Sequence, residues 1–150
     1  RQEWDRLRAL PFAESSAGSM TNPPVAAKDV VLSARIRRRA RHLTGCSGTH
    51  WPTENRITIT ADPEASRAEV SATLLHELVH AACDVPISAS TGRRLVHGPF
   101  YRLALIAAAE QAYGLELPEG AARWRAVQVD DRLVRELEAL GGEWGLPLGA

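Results

Sequence analysis

Residues 74–82 read LLHELVHAA, a stretch in which two histidines and a glutamate interrupt an apolar run. Residues four apart on an α-helix lie one turn apart on the same face, so His76 and His80 can direct their imidazoles at one point. The apolar pattern extends back to a turn signal at residues 61–63, and the sequence therefore predicts a helix over residues 64–82. Because leucine, valine and alanine surround the three polar residues, we expect this helix to be largely buried.

These three polar residues have the composition of a catalytic zinc site. Zinc readily accepts imidazole nitrogen, and a catalytic site typically has three protein ligands and a position for water. Glu77, beside the first histidine, is the expected general base that takes a proton from zinc-bound water. The pattern H-E-x-x-H arises by chance in only about 1% of chains with this length and histidine content. The alternative is a core helix whose histidines are hydrogen-bonded to backbone carbonyls.

A zinc site needs a third ligand, and His97 is the best candidate. It stands at the start of the next strongly helical segment, residues 98–113, after a loop long enough to fold back over the motif. Gly98 lets the backbone approach the site closely. The sequence thus predicts Zn²⁺ bound by His76, His80 and His97.

The remaining histidines and the cysteines have simpler interpretations. His42 is expected to be a cation at a helix C-terminus, and His50, in a segment interpreted as a loop, a surface residue. Cys46 could join His50 as a metal ligand, but no second pair of ligands accompanies them. Neither Cys46 nor Cys83 belongs to a CxxC pair, which excludes a zinc ribbon and a disulfide framework and favours a reducing cytosol.

The composition is that of a globular protein whose net charge produces no strong electrostatic field. A chain of 150 residues with 45% hydrophobic content can bury a core without the support of disulfides or structural metals. Its 18 basic and 18 acidic residues cancel, so no net charge steers it toward nucleic acid or a membrane. No apolar run approaches the roughly 18 residues of a membrane span, and the residues given do not show the charged segment and hydrophobic core of a secretory signal. We expect a cytoplasmic protein without a membrane partner.

The pattern along the chain predicts an α+β fold that is rich in helix and has a small sheet. Residues 1–24 are expected to form a loosely attached N-terminal extension, and residues 25–150 a single domain. The predicted segments are helices over residues 28–43, 64–82, 98–113 and 130–140, a strand over 56–60, and loops over 44–55, 84–94 and 118–128.

One predicted helix suggests a second function. Residues 28–56 carry seven basic and two acidic residues, and five arginines lie on the outer face of the helix predicted over residues 28–43. Such a face is a candidate DNA contact, although an arginine-rich solvated helix is the simpler interpretation. The arginines concerned are Arg35, Arg37, Arg38, Arg39 and Arg41.

The motifs resemble those of the SprT-like zinc metallopeptidases, whose eukaryotic relatives include the Spartan-type proteases that cut proteins crosslinked to DNA. The resemblance rests on the LHELVHA run at 75–81, the HGPFY run at 97–101 and the strand at 56–60, and it covers about residues 28–113. In that family the H-E-x-x-H pair and a later histidine in an H-G-P-x-aromatic context bind zinc. The resemblance therefore implies His76, His80 and His97 as ligands and Glu77 as base.

The same resemblance implies a single SprT-like catalytic domain with a zincin-like fold, in which an active-site helix and a neighbouring helix carry the ligands. The family's frequent C-terminal zinc ribbon and the Spartan-type DNA-binding and partner motifs are absent from this sequence, so a role in crosslink repair does not transfer. Stand-alone versions of this kind are common in bacteria and their phages. Tyr101, which matches the family's aromatic position, has two interpretations: a packing residue or an oxyanion stabiliser.

Three functional hypotheses follow. The first is a zinc metalloendopeptidase that hydrolyses peptide bonds with a Glu77-activated zinc-bound water and acts on a protein or peptide substrate. The second is a nucleic-acid-associated protein that uses the arginine-rich segment. The third is a degenerate zincin in which zinc is structural, with four protein ligands and no water.

Overall fold

The computed structural model of the chain describes residues 1–37, 46–83 and 99–114. These ranges contain three α-helices and a three-stranded sheet, which confirms the α+β class. In chain order the elements are α1 (Gln2–Arg8), β1 (Val31–Ile36), β2 (Cys46–Trp51), β3 (Arg56–Ala61), α2 (Arg67–Ala82) and α3 (Pro99–Tyr113), with short 3-10 helices at Pro11–Glu14 and Ala27–Asp29.

The sheet is mixed, with β3 in the centre. The strand order is β1-β3-β2, and β1 runs parallel to β3 whereas β2 runs antiparallel to it. In β3, Ile57, Ile59 and Ala61 are buried and the threonines between them are half-buried, which is the alternation that the sequence shows. The predicted strand over residues 56–60 is therefore confirmed, and its apolar face packs toward α2.

Helix α2 confirms the prediction over residues 64–82, with a later start. The hydroxyl of Ser66 accepts a hydrogen bond from the backbone N–H of Glu69 (3.1 Å), and the Glu69 carboxylate accepts one from the N–H of Ser66 (2.8 Å). This reciprocal capping box begins the helix at Arg67. Leu75, Leu78 and Val79 are at most 1% exposed, so the helix lies in the core as expected.

The helix predicted over residues 28–43 is wrong where the structure describes it, because residues 31–36 form strand β1. Leu32 and Ala34 pair in register with Ile57 and Ile59 of β3. Arginine and alanine favour helix locally, but hydrogen bonding along a neighbouring strand outweighs that preference.

The loop predicted over residues 44–55 is also wrong in part, since β2 occupies most of it. Trp51 pairs with Arg56, so β2 and β3 form a hairpin whose turn includes Asn55 with a positive φ of 47°. Asparagine tolerates this left-handed conformation better than most residues do. The strand has a small central residue, Gly48, and lacks a regular apolar alternation, which hid it in the sequence.

The N-terminal segment is packed into the core, in contrast to the loosely attached extension that the sequence predicts. Trp4 and Leu7 of α1 are 1% and 0% exposed. Glu3 accepts hydrogen bonds from Arg6 (2.6 Å) and from the buried hydroxyl of Ser71 on α2 (2.6 Å). Apolar burial and these polar contacts together hold α1 against α2.

Helix α3 confirms the helix predicted over residues 98–113. Its buried side chains, among those that the structure describes, are three alanines, one leucine and two tyrosines. Gly114 ends the helix with a φ of 66°, a conformation that favours glycine. The helix packs against α2, and Tyr113 shares a hydrogen bond of 2.6 Å with Ser71. The predicted loops over 84–94 and 118–128 and the predicted helix over 130–140 lie outside the described residues. Within the described ranges, no helix combines the length and apolarity needed to cross a membrane.

Candidate metal centre

The two motif histidines converge as their spacing on α2 predicts. The Nε2 atoms of His76 and His80 are 2.9 Å apart, and the ring centroids are 4.6 Å apart with an interplanar angle of 72°. The two imidazoles on one helix face thus present their Nε2 atoms to a common point. The arrangement favours the metal interpretation of the motif over the core-helix alternative.

Glu77 adds a carboxylate to the same point. Its Oε1 lies 3.9 Å from Nε2 of His76, and one donor atom from each of His76, Glu77 and His80 falls within 4.8 Å of the others. His76 is 9% exposed and Glu77 5%, whereas His80 is half-buried. Two imidazole nitrogens and a carboxylate oxygen this close together form a set of donor atoms that could hold a metal ion.

Strand β2 forms a wall beside Glu77, a feature that the sequence analysis missed. A Cβ atom built on Gly48 would lie 2.8 Å from Cγ of Glu77 and 3.2 Å from its Oε1. Only a residue without a side chain leaves room for the glutamate at this position. The one sequence signal was a glycine near a β-branched and an aromatic residue. A glycine inside a strand often marks a close contact with another group, but this inference requires knowing that residues 46–51 form a strand.

Helix α3 contributes Tyr101, which contacts both histidines. Its hydroxyl donates a hydrogen bond to the backbone carbonyl of His76 (3.1 Å), and its ring stacks on His80 with centroids 4.3 Å apart and planes at 22°. The side chain is 0% exposed. Of the two interpretations that the sequence left open, packing is therefore the one that this position supports.

The end of α2 just beyond His80 is held by the N-terminal segment. The backbone N–H of Gly18 donates to the carbonyl of Ala81 (3.0 Å), and a Cβ atom on Gly18 would collide with the carbonyl of His80. Carbonyls in the last turn of a helix have no partner within the helix, so this contact satisfies one of them. The chain before β1 therefore supports the helix that carries the site.

The spacing of the two imidazoles is near that of two nitrogen ligands of one metal ion, for which zinc gives a reference value. Zinc–nitrogen distances of about 2.0–2.1 Å imply that two ligand nitrogens lie about 3.3–3.4 Å apart. The observed 2.9 Å is about 0.4–0.5 Å shorter than this, a difference that small side-chain rotations can supply. The donor set of two imidazoles and a nearby carboxylate suits a transition-metal ion better than it suits calcium or magnesium, which prefer oxygen ligands.

The other candidate ligands have different outcomes. The predicted third ligand, His97, lies outside the described residues, as does His42, and His97 stays a prediction. Cys46 and His50 lie on β2 and do not belong to the cluster of donor atoms at His76.

The arginine-rich segment is not a helix face in its described part. Arg35 lies on strand β1 and pairs with Thr60 of β3. Arg37 follows β1 and donates its backbone N–H to the carbonyl of Ala61 (3.0 Å). Both side chains are exposed. Arg38, Arg39 and Arg41 lie outside the described residues, so a DNA contact through this segment stays a prediction.

Comparisons with known proteins identify no relative of the chain. No family model, no curated protein and no solved structure matches the chain.

Proposed function

We propose that the chain is a zinc-dependent peptidase of the SprT-like kind, with a zincin-like arrangement of its active-site helix. The observation that carries the proposal is the convergence of His76, Glu77 and His80 on one point, two of them nearly inaccessible to solvent. A hydrolytic metal centre needs each member of this set, because imidazoles bind the ion and a carboxylate beside them can act as the general base.

Each side chain has a distinct role in the proposed reaction. His76 and His80 hold the ion through their Nε2 atoms, and His97 is the proposed third ligand. When bound, zinc polarises a carbonyl group and makes water a stronger nucleophile at neutral pH. Glu77 Oε1, within 3.9 Å of His76 Nε2, accepts the proton of the attacking water and later delivers it to the leaving amine.

The position of β2 favours an extended peptide as substrate. β2 is at one edge of the described sheet, and its Gly48 packs directly against Glu77. A peptide in extended conformation can add to a sheet edge through main-chain hydrogen bonds, which would bring its backbone alongside the carboxylate. Main-chain recognition of this kind selects polypeptides over other hydrolysable substrates.

Replacing the proposed base tests the function. Glu77→Gln keeps the shape of the side chain and removes its basicity, so the variant should bind zinc within about twofold of the parent affinity while cleavage of unfolded protein substrates falls by at least about 100-fold. Glu64→Gln, at an exposed glutamate ahead of α2, is the matched control and should cleave like the parent. Equal cleavage by Glu77→Gln and the parent would remove Glu77 as the base.

The structural-zinc alternative makes a different prediction for the same protein. Four protein ligands would leave no coordination position for water, and the cobalt-substituted protein would then show no spectral change on adding a hydroxamate or a thiol that binds open metal sites. A ligand-induced shift of the cobalt bands supports the peptidase proposal instead.

A further inference from the structure

We infer that Tyr101 is a positioning residue for the metal-binding pair: it orients the ring of His80 and fixes the helix turn that joins His80 to His76. The inference rests on the proposed zinc site and concerns how α3 maintains its geometry. Tyr101 is 0% exposed, so it acts through the histidines and not by touching substrate.

The first contact orients the rings. An imidazole on a helix can rotate about its Cβ–Cγ bond, and only some rotations direct Nε2 at the ion. Tyr101 lies nearly parallel to His80, with centroids 4.3 Å apart, and it approaches His76 at 5.2 Å with a 57° tilt. A flat buried neighbour therefore limits the rotation of His80 while leaving its nitrogen edge directed at His76.

The second contact acts on the backbone. In an α-helix the carbonyl of His76 accepts the N–H of the residue four positions later, which is His80. The Tyr101 hydroxyl donates to this same carbonyl at 3.1 Å, using its second lone pair. One tyrosine thus contacts the peptide group that links the two ligands, as well as both rings.

The two contacts can be separated by substitution. Tyr101→Phe removes the hydroxyl and keeps the ring, whereas Tyr101→Leu removes the stacking surface as well. Residues that orient metal ligands typically change metal affinity by about 10–100-fold when they are replaced. We therefore expect zinc affinity to weaken by about 3–10-fold in Tyr101→Phe and by about 10–100-fold in Tyr101→Leu.

A second buried tyrosine on the same helix supplies the control. Tyr113 is 6% exposed, shares a 2.6 Å hydrogen bond with Ser71 and is the last residue of α3, twelve positions after Tyr101. Tyr113→Phe should therefore lower stability and leave zinc affinity unchanged. A purely structural role for Tyr101 would make its variants behave in the same way.

The experiment measures zinc dissociation constants by competition with a chromophoric chelator, with cobalt absorption spectra of the same variants as a report on ligand geometry. Weaker zinc binding with altered cobalt bands in the Tyr101 variants, and neither change in Tyr113→Phe, supports the inference. If the Tyr101 variants bind zinc as the parent does, the inference is wrong although the zinc site stands. If the parent itself fails to bind zinc through His76 and His80, the proposed function fails first.

Discussion

Adding one methyl group at Gly48 should damage the site and the fold together. A Cβ atom there would lie 2.8 Å from Cγ of Glu77 and 3.2 Å from Cγ2 of Ile59, whereas ordinary contacts begin at 3.4 Å. Glu77 must therefore move by about 0.2 Å to reach 3.0 Å, the shortest contact that real Cβ atoms show, and by 0.6 Å to reach an ordinary contact of 3.4 Å. Ile59 is 6% exposed and belongs to the core, so it has little room to yield.

The sign of the change in unfolding free energy distinguishes a clash with Glu77 and Ile59 from the ordinary preference of a strand for alanine over glycine. In a strand interior, alanine is normally better than glycine by about 0.5–1 kcal/mol. Overpacking a buried site costs about 1–3 kcal/mol, so the net effect of Gly48→Ala should be a loss of about 1–2 kcal/mol. Urea unfolding of the chelator-treated protein measures this value without any contribution from bound metal.

The rate of substrate cleavage by Gly48→Ala should fall by more than its loss of stability alone would cause. A displacement of about 1 Å at a catalytic group can cost on the order of 100-fold in rate, so the smaller movement of Glu77 in Gly48→Ala should cost about 10-fold in cleavage while zinc affinity stays within about twofold. Ser47→Ala, an exposed position on the same strand, is the control and should match the parent. A Gly48→Ala protein as stable and active as the parent would refute the packing of β2 against Glu77.

Three further predictions concern the helix start, the buried tyrosine and the third ligand. Ser66→Ala removes the hydroxyl that accepts from the Glu69 N–H and should lower the free energy of unfolding by about 1 kcal/mol in urea titrations; an unchanged midpoint would contradict the capping box. Burial raises the pKa of Tyr113 above its ordinary 10.0, so above about pH 10 the unfolded chain loses a proton that the folded chain keeps. Stability should then fall by up to about 1.4 kcal/mol per pH unit, and Tyr113→Phe should remove that part of the slope; equal slopes would refute this. His97→Ala should weaken zinc binding by more than about 100-fold in chelator competition, and an unchanged affinity would exclude His97 as a ligand.

The predictable parts of the fold were those with a strong local pattern. Helix α2 combines a long apolar run with a turn signal at its start, and β3 alternates isoleucine with threonine. The convergence of His76 and His80 followed from helix geometry alone, because a spacing of four residues determines which side chains share a face.

The parts that could not be predicted depend on contacts between distant residues. β1 contains arginine and alanine, which favour helix, yet its pairing with β3 makes it a strand. The contact of Gly48 with Glu77 joins residues 29 positions apart, and the hydrogen bond that ties Glu3 of α1 to Ser71 of α2 joins residues 68 positions apart. No periodic pattern in a single sequence encodes such contacts.

Zinc stoichiometry tests the central claim most directly. Equilibrium dialysis followed by metal analysis should give one zinc per chain for the parent and for His50→Ala, whose histidine lies on β2 outside the cluster. The double variant His76→Ala/His80→Ala should bind none while remaining folded, because the core of α2 is made by its leucines and valine. One zinc per chain in the double variant, or none in the parent, would contradict the assignment of this cluster as a metal centre.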